Sequence, residues 1–214
     1  MEVKILQSII LIIPLLVAVT VHEVAHGYAA LRFGDPTAKM AGRLSLNPIR
    51  HLDPFGSIIL PGLLIFSGSP AVFGYAKPVP VNFRNLNNLR VGTIVVSAAG
   101  VAANLVCAAV SGFLYQALHM VPELATLSVG MLAGRLLYAF CIINIVLAVF
   151  NLIPIPPLDG SRLLSALLPP QARQAYEQIG PFGILILLVL LMTNTLDFVI
   201  LFFIKPLAGF FTGG

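Results

Sequence analysis

The sequence predicts an all-α polytopic membrane protein of about five or six membrane segments. These form one membrane-embedded domain over residues 1–214, with a re-entrant or extended hairpin between the first and second long spans. Three observations predict this class. Hydrophobic residues make up 58% of the chain and charged residues only 9%, against about 25% charged in soluble globular domains. Mean hydropathy is +0.99. Several apolar runs also reach the roughly 20 residues needed to cross about 30 Å of hydrocarbon as a helix.

The first apolar segment, residues 4–32, is long enough to span, and Pro14 lies within it. Its length exceeds a signal-peptide core and no small-residue cleavage site follows, so a retained span is expected. A polar connector over 33–53 carries Lys39, Arg43, Arg50, His51 and Asp53. Residues 54–75 are apolar but broken by Pro54, Pro61, Pro70 and several glycines, which suits a hairpin better than a span. Irregular backbone at membrane depth needs protein or a wet cavity to satisfy it. The prolines of 77–85 favour extended chain. Long spans are expected at 88–118, 128–150 and 182–204. The stretch 151–160, with three prolines, breaks the helix before a short helix over 159–168 that Asp159 could cap.

With the first span running inward, nine of the twelve basic residues fall on the cytoplasmic side, as the positive-inside rule requires. That rule accounts for the net charge of +4, and no basic tail or nucleic-acid motif is present. Cys107 and Cys141 lie in apolar runs and read as buried small hydrophobes.

The chemistry lies near the inner end of the first span, in His22-Glu23-Val24-Ala25-His26. Histidines four apart on a helix lie one turn apart on one face, so both imidazoles can reach one metal ion. Glu23 stands beside them as a base for water. Chance placement of four histidines into this pattern has odds on the order of one in a thousand. Two histidines and a glutamate at membrane depth are also costly unless used.

A catalytic zinc has three protein ligands and one open position. Asp159 is the best-placed third ligand, since it follows a span and returns to the side of His22 and His26. His119 falls on the opposite side, and His51 reads as a solvated loop residue beside Asp53. Asp35 and Glu177 read as surface charges. Asn104 and Asn151, polar residues in or at the ends of apolar spans, are candidates for substrate or oxyanion contact, with Asn144 and Asn194 as similar residues of less favourable position.

His22-Glu23-Val24-Ala25-His26-Gly27, with Asn151-Leu152-Ile153-Pro154-Ile155-Pro156-Pro157-Leu158-Asp159-Gly160, resembles the site-2 protease family of intramembrane zinc metalloproteases. The second stretch matches the family pattern N-x-x-P-x-x-P-L-D-G at every fixed position. The stretches Asn47–Gly56 and Phe73–Asn82 are similar to a compact bacterial branch that lacks PDZ and CBS domains.

The resemblance implies one zinc ion held by His22, His26 and Asp159, with Glu23 as catalytic acid/base and Asn151 in the active site. A family motif G-P-x-x-N reads Gly100-Val101-Ala102-Ala103-Asn104 here, with valine for proline. It further implies transmembrane protein substrates in the lipid bilayer and a multi-pass protein of the prokaryotic inner membrane, with its site toward the cytoplasm. A helical substrate must unfold locally to be cut, and the 54–82 region is expected to offer an extended edge for it to pair with. The competing reading is a metal-binding membrane protein or transporter without proteolysis. Glu23 argues against it, because a ligand pair alone needs no neighbouring base.

Overall fold

In a computed structural model of the chain, residues 2–59, 63, 77–193 and 195–214 are described. Nine α-helices are described: α1 Glu2–Arg32, α2 Thr37–Met40, α3 Leu89–His119, α4 Pro122–Thr126, α5 Ser128–Asn151, α6 Asp159–Leu167, α7 Pro170–Glu177, α8 Gly183–Met192 and α9 Thr195–Thr212. No strand occurs among the described residues.

Among the described residues, four segments are long and apolar enough to cross a membrane: Leu11–Arg32, Leu89–His119, Ser128–Asn151 and Pro170–Met192. Leu201–Thr212 is a shorter apolar helix. The first three match the expected spans to within a few residues, since each is a continuous apolar run with few helix breakers.

The expected last span over 182–204 is instead divided. Helix α8 ends at Met192 and α9 begins at Thr195. The Thr193 hydroxyl turns back onto Val189 O and Leu190 O and also meets Thr195 Oγ1. Hydroxyl groups that compete for backbone partners in this way weaken a helix at that point. Most of the expected hairpin, residues 60–62 and 64–76, lies outside the described residues. Pro54–Ile59 at its start forms a π-helical turn.

Helices α1, α3 and α5 pack on one another, and α9 packs on α3 and α5. One core cluster joins Ala108, Cys141, Ile145, Val149 and Phe211. A second joins Ala30, Leu86 and Val96, with Phe33, Val81 and Phe83 against it. This second cluster docks the non-helical 77–82 segment and the turn after it on the C-terminal end of α1.

Asp35 fastens the same junction and corrects its reading as a surface charge: it is fully buried. It accepts hydrogen bonds from Asn82 N (2.7 Å), Asn85 Nδ2 (2.8 Å) and Thr37 N (3.1 Å), and from the Thr37 hydroxyl. Burial pushes its carboxyl up, but these four donors outweigh burial and hold it below the ordinary value. A folded-state value below the unfolded one, which is about 3.9, gives stability that is complete at neutral pH and is lost as pH falls through the folded value. Asp35→Ala leaves several buried donors unpaired. It is expected to cost about 3 kcal/mol and to flatten the acid limb of the stability profile. Thermal unfolding in detergent from pH 3 to 7 would measure both; an unchanged midpoint would count against this clamp.

His51 also departs from its expected solvated role. It is buried, with its Nε2 2.7 Å from Ser45 O, because the 43–51 turn folds over it.

Candidate metal centre

Three segments meet near the C-terminal half of α1. The α1 helix supplies His22, Glu23 and His26, the wall of α3 faces them, and the first residue of α6 is Asp159. The 4-residue spacing in α1 stacks the two imidazoles edge to face, with centroids 4.6 Å apart. The proline-broken turn after α5 brings Asp159 back across the bundle. Gly160 lets this turn close, since a Cβ there would stand 2.2 Å from Leu152 O. The expected capping role of Asp159 does not occur. Leu158 is the N-cap and makes no side-chain cap. The Asp159 carboxylate points instead at the histidines.

His22 Nε2, His26 Nε2 and Asp159 Oδ2 lie 3.0–3.1 Å from one another. The proton positions follow from the outer partners. His26 Nδ1 is 2.7 Å from Val96 O, which can only accept, so Nδ1 carries the proton. His22 Nδ1 is 2.6 Å from Asn104 Oδ1. The orientation of that amide is fixed in turn, because Asn104 Nδ2 donates to Ala18 O (3.3 Å) and to Asn144 Oδ1 (2.7 Å). Asn144 Nδ2 donates to Phe140 O at 2.8 Å. Backbone carbonyls thus set both amides, and the amides set the tautomer of His22.

With the rings neutral, both Nε2 lone pairs face each other and a carboxylate oxygen. Three acceptors this close repel one another unless a cation, a proton or a metal ion, lies between them. Two imidazoles and one carboxylate form a donor set that suits zinc. His22, His26 and Asp159 could therefore hold a metal ion, and they are the metal-ligand cluster found among the described residues.

The wall of α3 is built for this arrangement. Val96 O holds His26, Gly100 admits both rings, and Asn104 holds His22. The residues are four apart and so share one helix face. A Cβ on Gly100 would stand 2.5 Å from His26 Nε2 and 2.6 Å from His22 Cε1.

A cavity of about 360 Å³ opens beside the cluster. It is lined by His22, Glu23, His26 and Asp159, by Pro78–Val81 of the non-helical segment, and by Ser97, Asn151 and Arg162. Glu23 Oε2 accepts a 2.8 Å hydrogen bond from Val79 N, which holds the carboxylate at the cavity. Asn151 lines the cavity with one amide N–H on Leu147 O. Arg162 stacks over Phe83 at 4.6 Å.

Asn104 does not fit the expectation of substrate contact. It is fully buried, and its oxygen and nitrogen are engaged by His22, Asn144 and Ala18. Asn144 was legible only as a polar residue in an apolar helix, without a partner. Its buried link to Asn104 depends on how α3 and α5 pack. His119 and Arg135 line a separate cavity with Tyr115 and Tyr138 at the far end of α3.

A prediction follows for Asn104. Replacement by leucine removes the acceptor on His22 and is expected to weaken metal affinity by about 10- to 100-fold, while Asn104→Asp, which keeps an acceptor, retains more. Competition against a metallochromic chelator would read both, and equal affinity in wild type and Asn104→Leu would remove this role.

Comparison with known proteins agrees with the geometry. The profile of Peptidase family M50 matches residues 118–193, which include the Asp159 turn. The chain is 43% identical over 185 residues to "Putative zinc metalloprotease YwhC" of Bacillus subtilis (strain 168), covering 86% of this chain and 80% of that protein. The chain belongs to peptidase family M50, the site-2 protease family. A second relative, "Putative zinc metalloprotease Rip2" of Mycobacterium tuberculosis, is 32% identical over 201 residues, covering 91% of this chain and 72% of that protein. The Rip2 protein of Mycolicibacterium smegmatis is 33% identical over 183 residues, covering 85% and 66%. No solved structure matches the chain significantly. The M50 profile match begins after the His22-Glu23-Val24-Ala25-His26 motif, so the placement of that motif opposite Asp159 comes from the fold.

Proposed function

We propose that this M50 protein is an intramembrane zinc endopeptidase that hydrolyses peptide bonds in or near the transmembrane segments of other membrane proteins. In this reading His22, His26 and Asp159 hold one zinc ion and Glu23 is the acid/base. The observation that carries it is the convergence of His22 Nε2, His26 Nε2 and Asp159 Oδ2 within 3.0–3.1 Å of one another, beside a cavity that Glu23 also lines.

When bound, zinc polarises the scissile carbonyl and makes a water molecule acidic enough to attack near neutral pH. Glu23 takes a proton from the attacking water and returns it to the leaving amine. The Val79 N–H holds the Glu23 carboxylate for this task. Asn151, at the cavity wall, has a second amide N–H and its oxygen available to orient substrate.

Read as extended chain, the non-helical 77–82 segment supports local unwinding of the substrate. Pro78 and Pro80 have no N–H to donate. Val79 N–H is used by Glu23, and Val81 N–H has no partner among the described residues. Residues two apart in extended chain face the same side, so Val81 offers a backbone donor on the side of Val79. A substrate strand could pair there. The membrane setting follows from the four apolar helices, and the placement of basic residues supports a site on the cytoplasmic side.

The test is cleavage of a panel of tagged single-span membrane proteins by the purified protein in detergent, with bound metal quantified. Cleavage within or near a span, with about one zinc per chain, supports the reading. Folded protein that binds no metal would overturn it, and metal-loaded protein that cuts none of a broad panel would favour a metal-binding protein without proteolysis.

A further inference from the structure

Ser97 lies on α3 beside Val96, whose carbonyl holds His26, and it lines the metal-site cavity. The residue is 1% exposed, and its hydroxyl has no hydrogen-bond partner among the described residues. This is unusual for the chain. The hydroxyls of Thr20, Ser111, Thr126, Thr193 and Thr212 all donate to the carbonyl four residues back in their own helices. That is the ordinary way for a helical hydroxyl to be satisfied. Ser97 could do the same with Thr93 and does not. A buried hydroxyl without a partner costs about 1–3 kcal/mol, so its retention at a cavity wall calls for a ligand.

We propose that Ser97 is a catalytic hydrogen-bond donor to the scissile carbonyl oxygen of the substrate. The proposal rests on the protease reading above. As the water oxygen bonds to the carbonyl carbon, its proton passes to Glu23 and the carbonyl π pair moves onto the oxygen. That oxygen gains charge, and the Ser97 O–H stabilises it. When the C–N bond breaks, the π bond re-forms and the amine leaves with the proton from Glu23. Ser97 thus takes the place expected of Asn104, whose amide is turned away from the cavity to hold His22. Ser97, Gly100 and Asn104 recur at three- and four-residue spacing, so one face of α3 serves the substrate and both histidines.

The experiment compares wild type, Ser97→Ala and Ser97→Thr on a membrane substrate that wild type cleaves. It measures kcat, KM, bound zinc, thermal midpoint and affinity for a phosphinate analogue of the cleaved peptide. Ser97→Ala is expected to lower kcat by about 100-fold, with KM within about threefold and zinc content unchanged. Analogue affinity should fall alongside kcat. Because the hydroxyl has no partner in the resting protein, the thermal midpoint should stay level or rise. Ser97→Thr, which keeps the hydroxyl, should recover part of the rate.

Unchanged kcat and analogue affinity in Ser97→Ala would overturn the role of Ser97 and leave the protease reading standing. Loss of zinc or a lower thermal midpoint in Ser97→Ala would show a structural serine and would also overturn it. If wild type cleaves nothing, the protease reading itself fails, and the role of Ser97 fails with it.

Discussion

Glu23→Gln is expected to lower peptide hydrolysis by about 10²- to 10⁴-fold while metal binding stays at the wild-type level. The glutamate side chain is not one of the three converging ligands. It lines the cavity and accepts from Val79 N at 2.8 Å. Glutamine nearly matches its shape, so the fold should tolerate the change. It can offer an oxygen to Val79 N–H, but it cannot take a proton from water. The measurement is a cleavage time course beside metal quantification on the same preparation. Full activity in Glu23→Gln would remove Glu23 as the base. Loss of metal would show instead that Glu23 helps to hold the ion. Metal retention with loss of cleavage also separates a protease from a metal-binding membrane protein, because only the protease needs the base.

Gly100→Ala is expected to weaken metal binding by up to about 100-fold without removing a ligand or a charge. The added methyl would stand 2.5 Å from His26 Nε2 and 2.6 Å from His22 Cε1. Neither ring can swing away freely, since His26 Nδ1 is held by Val96 O and His22 Nδ1 by Asn104. Overpacking of this kind costs about 1–3 kcal/mol, and here it falls on the geometry of the ligands. Alanine favours helix over glycine by about 1 kcal/mol, so α3 itself should persist. The variant should therefore keep its helical circular dichroism, lose metal on dialysis against a chelator, and regain part of its activity in excess zinc. Wild-type metal retention in Gly100→Ala would mean that the rings do not sit against α3 as described.

The two large effects differ in how they could be foreseen. Glu23 was legible because its motif is local: the helix period alone puts His22 and His26 on one face. Asp159 was legible because it follows a proline-broken turn at the end of a span and stands in a second motif matching the family pattern. Gly100 was visible as part of a motif altered by valine in place of proline, but its purpose was not. Its missing Cβ matters only because two rings from another helix occupy that space.

Asn104 shows the same limit from the other side. As a polar residue in an apolar helix it could face substrate, lipid or a neighbouring helix, and the sequence favours none of these. Packing of α1, α3 and α5 surrounds it with His22, Ala18 and Asn144 and makes it a positioning residue. Asp35, an acid in a polar connector, had the features of a surface charge. It became a buried clamp when the 82–85 turn brought two donors from distant sequence to join the two that Thr37 supplies locally.

The division of α8 from α9 has a different cause. The 182–204 run satisfies the hydropathy of one span, which counts apolar residues over a window. Such a window does not register the local bonds of Thr193 and Thr195, which meet between the end of α8 and the start of α9.

The sequence by itself determined the membrane class, the three long helices α1, α3 and α5, the two histidines with their glutamate, and the carboxylate that joins them. Each follows from composition, from a period along one element, or from a motif of fixed spacing. Tertiary structure alone decided which groups surround those residues: Val96 O and Asn104 behind the imidazoles, Asn144 behind Asn104, Val79 N on Glu23, and the unpaired hydroxyl of Ser97 at the cavity wall. These partners lie on different elements, most of them tens of residues apart. The faces that two helices turn toward each other depend on the packing of both, which no single segment encodes.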